Sequence, residues 1–468
     1  MMTLAVSLAL LLTAAPAQTA GRAARLPSAP APILHLEVAQ NSPPGAPIQG
    51  TNSTAQSGSA VLRLTRTQAE QIALRDNPRI RVSQLLALAQ HQVVREAHAA
   101  DLPTAYGSVS AMNAHDGGRV SAGSLAASRL ITHAGAGGAF TQLITDFGRV
   151  HNLVLSQKLQ EKAANANALA TREEIVLATD EAFYNALTAQ ALLKVARQTV
   201  ADRQTTQSLI SEMTKNKLKS TLDLSFANVD LSQAQLLQLD AANNDEASMA
   251  ALDAVLGLDH SVRYVLVGAT TELTPPAPAP DGLVQAALQQ RPDLQSLTFG
   301  QQSAQKYTRA QWDQLLPTIS AAGTVGATPV RSDEYYTTNW WGGIGVNLNI
   351  PIFNGFLYTA QAREAAYRAQ ADAERTRALR DQIVRDVRTA WLDANTAYQR
   401  VGVTEQLVQE ANLGLQLAQA RYKLGLSSIV ELSQAELQQT TAQIDDTNAR
   451  YQYRLSLAAL NYQIGTAP

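Results

Sequence analysis

The 468-residue sequence contains no cysteine. Disulfide staples, thiolate metal sites and an N-terminal lipid anchor on cysteine are thereby excluded, and the absence fits a compartment in which stray disulfides are a hazard. Aromatic residues make up 5% of the chain and charged residues 16%, a composition that argues against an ordinary enzyme of packed α/β layers. The net charge of -2 gives no reason to expect a nucleic-acid partner. Enzyme signatures are missing as well: there is no His-Glu-x-x-His, no Gly-x-Ser-x-Gly and no phosphate-loop motif. Asp146-Phe147-Gly148 spells a kinase fragment without its His-Arg-Asp companion, and the seven histidines, His115 and His133 among them, are scattered. No catalytic residue, metal site or cofactor is therefore expected.

Long apolar runs are also lacking. Leu4–Ala17 is apolar but shorter than the roughly 20 residues a membrane-spanning helix needs, and no other segment approaches that length. The run closes with Ala15-Pro16-Ala17 before Gln18, the small-x-small pattern of a secretory signal. Residues 1–20 are thus expected to be a cleaved signal peptide, although Met1-Met2-Thr3 lacks the usual basic residue. The Pro/Ala/Gln-rich residues 21–62 are expected to be flexible. If the exported chain sits in a membrane, strands must carry it there.

What the sequence does contain is itself, twice. Ala182-Phe183-Tyr184-Asn185-Ala186 matches Ala390-Trp391-Leu392-Asp393-Ala394, and Val255-Leu256-Gly257 matches Gln463-Ile464-Gly465, both 208 residues apart (391 − 183). Upstream, Asn77-Pro78 pairs with Arg291-Pro292 and Leu102-Pro103 with Leu316-Pro317 at an offset of 214 (317 − 103). The six-residue difference belongs in a surface loop, His115–Gly135 against Thr328–Asn339, where insertions are tolerated. The first repeat then covers residues 63–268 and the second 281–468, joined over 269–280 by a Pro-rich linker, Pro275–Pro280, that reads as stiff and extended.

Each repeat opens with a helix, capped by Thr65 in the first copy and by Asp281 in the second. After each Leu-Pro the period switches to two. In the second copy Ile319, Ala321, Gly323 and Val325 alternate with Thr318, Ser320, Ala322 and Thr324; further on Ile344, Val346, Leu348, Ile350 and Ile352 alternate with Gly345, Asn347 and Asn349. About ten residues of such alternation suit a membrane β-barrel strand and equally a half-buried strand of a soluble sheet. Tyr335, Tyr336, Trp340 and Trp341 at one end favour the membrane as interfacial aromatics. In the first copy Gln142 falls on the face of Phe140 and Ile144.

From Gly148 to about Asn216, and again from Phe356 to about Leu424, proline is absent, which predicts helices about 100 Å long. The apolar seams Ile175, Thr179, Ala182, Ala186, Ala189, Leu193, Ala196, Val200 and Ile383, Val387, Ala390, Ala394, Ala397, Val401, Thr404, Val408 are heptads, predicting left-handed coiled-coil packing. Each helix turns and returns, with Gly425 suited to the left-handed C′ position. Lys217 stands at that position in the first copy and Asp223 opposite Glu431, so the second turn is expected to be the sharper. Four strands cannot close a barrel, for which about eight is the least observed, and open edges are not tolerated in lipid. The chain is expected to oligomerise.

In this order, the motifs Leu64-Thr65 through Ala73-Leu74 with Asn77-Pro78, Gln290-Arg291-Pro292-Asp293-Leu294, Pro351-Ile352-Phe353-Asn354-Gly355, and Ala420-Arg421-Tyr422 with Gly425 and Glu431-Leu432 resemble the outer-membrane efflux protein family, the TolC-type exit ducts. The resemblance covers about residues 63 to 466. It implies an α+β membrane protein: a homotrimer whose twelve-stranded barrel in the outer membrane continues as a coiled-coil tunnel through the periplasm. It also implies docking through a periplasmic adaptor, or membrane fusion protein, to an inner-membrane transporter, and passive export of small molecules such as drugs and toxic compounds (multidrug efflux) or of secreted protein (type I secretion). The other reading of the heptads is an exported coiled-coil scaffold or adhesin without channel activity.

The family's periplasmic constriction carries over to Tyr422 and Glu431, beside Gly425 and Asp223. The chain departs from some members at Ser427, where they have arginine, and at Gln434, where they have aspartate. The expectation is a ring of three Glu431 carboxylates that favours cations, the alternative being that Glu431 and Asp223 only complement helix N-termini. Pro351, Phe353, Asn354 and Gly355, with Asp146 and Gly148 in the first copy, mark the strand-to-helix junction.

Overall fold

The computed structural model describes residues 62–113, 119–120, 128–129, 133–259, 264–268, 273–327 and 340–466. Residues 1–61, which hold the expected signal peptide and flexible segment, lie outside it, as do Tyr335, Tyr336 and His115.

Elements recur in the order that the repeats predict. In the first copy, α1 (Arg66–Asp76), α2 (Pro78–Ala99), β2 (Thr104–Met112), β5 (His133–Thr145), α3 (Arg149–Lys215) and α4 (Thr221–Leu256) follow the short strand β1 (Leu62–Thr65). In the second copy, α5 (Asp281–Gln290), α6 (Pro292–Asp313), β7 (Thr318–Ala327), β8 (Trp341–Asn349), α7 (Leu357–Lys423) and α8 (Ile429–Ile464) repeat the series. Both long helices have 67 residues and both return helices have 36. Among the described residues no helix is long and apolar enough to cross a membrane.

The sheet order is β2-β5-β7-β8, antiparallel throughout, with a bulge between Leu143 and Thr145. Because side chains alternate along each strand, the register sorts the two faces. One face carries Ala105 and Val109, Ala136 and Phe140, Ile319 and Ala321, and Ile344, Val346 and Leu348; the other carries Thr104 and Ser108, Thr141, Thr318, Ser320 and Thr324, and Asn347 and Asn349. Gln142 lies on the apolar face opposite Ala321. Its amide is tied down at the base of the sheet, Nε2 donating to the carbonyls of Asp101 at 2.8 Å and Leu143 at 2.7 Å. Phe140 lies over Gly323, filling the space a side chain would occupy there.

The helices form four parallel rods. Helix α4 ends at Gly257, in the left-handed conformation (φ 79°), against the start of α2, where Asn77 Nδ2 donates to the Val255 carbonyl at 2.8 Å. Helix α8 ends at Gly465 (φ 78°) against the start of α6, and there Arg291 Nη1 reaches Gln463 Oε1 at 2.6 Å. Two continuous helices and two end-to-end pairs therefore lie side by side in the order α4/α2, α3, α8/α6, α7. Each strand extends its own rod, so sheet and helices share one order and the same two open edges. The seam residues are buried along most of both long helices: Ile175, Thr179, Ala186, Leu193 and Ala196 on α3, and Ile383, Val387, Ala394, Ala397, Val401 and Thr404 on α7.

Three expectations about these elements need correction. Pro280, not Asp281, is the N-cap of α5, and it makes no side-chain cap bond; Asp281 instead lies 3.8 Å from Arg388. Strand β8 stops at Asn349, since Pro351 lacks the N–H a ladder needs, so Ile350 and Ile352 lie beyond it. The outer segment expected over His115–Gly135 gives its last residues to β5, and it holds the two-residue strands β3 (Arg119–Val120) and β4 (Ser128–Arg129). A parallel pair, β1 with β6 (Tyr264–Val267), went unpredicted because four residues are too few to show a period. The Pro-rich joint is fastened at two points: Trp391 Nε1 donates to the Ala277 carbonyl at 2.7 Å and Tyr453 Oη to that of Thr274.

Candidate functional site

The two turns at the far end of the long helices share one geometry. At the second, the amide of Leu426 donates to the Arg421 carbonyl and that of Gly425 to Tyr422, a Schellman close with Gly425 at φ 75°. At the first, Leu218 donates to Met213 and Lys217 to Thr214, with Lys217 at φ 59°. The second turn is therefore not sharper than the first. The fold imposes the left-handed residue whether or not glycine is there.

Behind the turns, Ile210 of α3, Ala227 of α4, Ala418 and Tyr422 of α7, and Ile429 and Leu432 of α8 form one buried cluster. Tyr422 is central to it. Its hydroxyl is buried without a hydrogen-bond partner, and burial, with the nearby Asp223 carboxylate, pushes its pKa up to about 12. Lys219, from the other hairpin, places its ammonium 3.8 Å from the centre of the Tyr422 ring and 3.4 Å from the Tyr422 carbonyl. The lysine thus meets both a π face and the negative end of α7.

Glu431 stands in the first turn of α8, its amide bonded to Ser428 Oγ. Its carboxylate takes a bond from Arg421 Nε at 2.8 Å, so it is neither bare nor only a helix-end charge. Asp223 does close a helix N-terminus, in a reciprocal capping box with Ser220. Ser427 has a buried hydroxyl with no partner, and Gln434 is exposed.

Further along the rods, Arg203 of α3 and Glu436 of α8 form a buried ion pair at 2.6 Å, completed by Thr206 on Glu436 and by Thr440 on Arg203. Burial raises the Glu436 pKa, opposed by Arg203. Asp230 of α4 accepts a bond from Ser433 of α8. Arg203, Lys219, Arg421 and Glu436 were missed from sequence. A signal for Arg203 existed: it follows Ala196 and Val200 at the next seam position, where a charge requires a buried partner.

At the other end, Asp146 is buried and accepts from the amides of Gly148 (3.2 Å) and Val150 (2.7 Å), capping α3. The joint needs two consecutive left-handed residues in each copy. The first uses Phe147 (φ 56°) then Gly148 (φ 110°), and the second Gly355 (φ 65°) then Phe356 (φ 65°). Asn354 follows Phe353, whose ring meets that of Phe356 edge-on at 5.5 Å. Of the aromatics expected at the membrane interface, Trp341 pairs with Gly326 on the polar face of the sheet, and Trp340, exposed, immediately precedes β8.

Comparison with known proteins bears on these shapes. Residues 283–466 match the model of the family described as outer membrane efflux protein. Outer membrane protein TolC of Escherichia coli (strain K12) is 22% identical over 343 residues, covering 70% of this chain and 68% of the relative. The alkaline protease secretion protein AprF of Pseudomonas aeruginosa is 22% identical over 298 residues, covering 63% of this chain and 62% of the relative. The crystal structure of outer membrane protein VceC from Vibrio cholerae shares the fold at a TM-score of 0.73 and 18% identity, over 86% of this chain and 96% of that one. By its second repeat, its relatives and its fold, the chain resembles the outer membrane efflux proteins of the TolC type.

Proposed function

We propose that the chain forms the outer-membrane exit duct of a tripartite efflux pump or type I secretion system, after export directed by the signal at Leu4–Ala17. The observation that carries this reading is the open four-stranded sheet, apolar on one face and hydroxyl- and amide-lined on the other, continued strand by strand into four rods. With the apolar face outward and edges β2 and β8 joined between copies, three chains give twelve strands, a closed barrel and a tunnel of matching order. The polar sheet face then lines the pore. A polar duct requires no chemistry of its own, and relatives are named for secretion and for efflux. Energy is supplied at the inner membrane by a transporter reached through the adaptor.

The turns would form the periplasmic entrance. Where some family members place arginine, this chain has Ser427, and the hairpins are held instead by the Lys219 clamp on Tyr422. The three Glu431 carboxylates would each enter the constriction with Arg421 beside them, an alternating ring and not an acidic one. Planar-bilayer recording tests this: Lys219→Met should raise single-channel conductance several-fold, and Glu431→Ala should shift selectivity toward anions by freeing Arg421. Wild-type protein that inserts without conducting would end the duct reading, and unchanged conductance in Lys219→Met would end the clamp.

A further inference from the structure

Where α1 crosses α3, about halfway along the rod, two carboxylates are buried against one guanidinium. Arg66 Nε lies 3.3 Å from Glu70 Oε1, and its Nη1 lies 3.3 Å from Asp180 Oδ2. Glu70 and Asp180 are 6% and 3% exposed, and Glu70 Oε1 and Asp180 Oδ1 have no hydrogen-bond donor. One cation beside two buried anions leaves an unbalanced charge, which a low-dielectric site does not tolerate. A proton held by the carboxylate pair balances the charge and supplies a donor where Asp180 Oδ1 has none.

The chain contains its own comparison. Helix α5 crosses α7 in the second copy as α1 crosses α3 in the first, with Ala287 at the position of Ala73 and Leu294 at that of Ile80, all four buried. There Arg66 is replaced by Pro280, Glu70 by Val284 and Asp180 by Arg388, which lies exposed 3.8 Å from Asp281, and the buried part of the crossing is an apolar cluster of Val284, Val387, Ile383 and Leu294. Packing does not require the acids. At the first crossing β1 leads directly into α1 and joins Tyr264–Val267.

We propose that Arg66, Glu70 and Asp180 form a proton-operated catch, which fastens the β1–α1 strap to the long helix while one proton is held between the carboxylates and loosens it when that proton is lost. Other titratable groups around it are Tyr184 on the next turn of α3, Arg454 on α8, and Asp253 of α4 beside Tyr264 of β6. Burial first, then Glu70, pushes the Asp180 pKa up to about 7 against the pull of Arg66. A carboxyl raised in the closed state contributes stability that is complete below its ordinary value, falls as pH rises toward 7, and is gone above it. The catch is independent of whether the chain conducts.

Hydrogen exchange of the assembled protein in detergent, read on peptides covering residues 66–76 and corrected for the chemical rate, tests it. Strap protection in the wild type should fall by up to about tenfold per pH unit between roughly pH 5 and 7 and then level off. Asp180→Asn should flatten the profile, as should Glu70→Val, which places at this position the residue the second crossing has and leaves Arg66 paired with Asp180. Asp76→Asn, an exposed acid on the same helix, should leave the slope in place. A flat wild-type profile, or a slope that persists in Glu70→Val, overturns the catch.

Discussion

Single residues in this chain reveal what the backbone demands, because each demand is met twice with different side chains. Lys217 and Gly425 occupy the same left-handed position, and only glycine takes it without a Cβ penalty of about 1–2 kcal/mol. Nothing lies within 4 Å of a side chain at Gly425, so the backbone term stands alone there. Gly425→Ala should therefore destabilise the assembled protein by about 1 kcal/mol, while Lys217→Gly should be neutral to stabilising by a similar amount. Thermal dissociation of the oligomer followed on gels would show the two shifts in opposite directions. Gly257 differs, since a Cβ there would sit 2.8 Å from the Asp76 carbonyl, and alanine would push α4 off the junction of α1 and α2.

At the scale of elements, the long helices were legible to within a residue or two: their heptads run for many turns, and the absence of proline set their limits. Asp281 misled because an acid before an apolar run reads as a cap, whereas Pro280 already fixes the entry. The tip was legible only in part. Tyr422 and Gly425 could be placed by their motif, but Lys219 reaches Tyr422 from the other hairpin and Arg421 reaches Glu431 across its own turn, contacts that side-chain geometry sets and no periodicity marks. The Arg203–Glu436 pair ties α3 to α8. Arg203→Met leaves a buried carboxylate alone, an expected loss of about 3–5 kcal/mol, whereas Arg203→Met with Glu436→Leu should recover most of it. Denaturant midpoints of the two variants decide the matter; equal losses would mean the ion pair is not what joins these helices.

For the whole molecule, the decisive feature is that strands and rods keep the same lateral order. Strand β2 and the α4/α2 rod form one edge, and strand β8 and α7 the other. Since the chain has no cysteine, a pair introduced at Ser108 and Asn347, one on each edge strand, would be its only thiols. Oxidation should link chains to one another, yielding a species of three covalently joined subunits on a denaturing gel; a monomer closed on itself would contradict the shared barrel.

The two edges also behave like the halves of a zip fastener. Each runs from the sheet to the turns, so a gap opened anywhere leaves the edge-strand N–H and C=O groups unpaired above and helical seams unpaired below. Assembly should accordingly be all-or-none along the molecular axis, with barrel and tunnel melting in a single transition. A subunit carrying a defect at one end should spoil the seam along its entire length, so that one faulty copy in three disables the complex it enters.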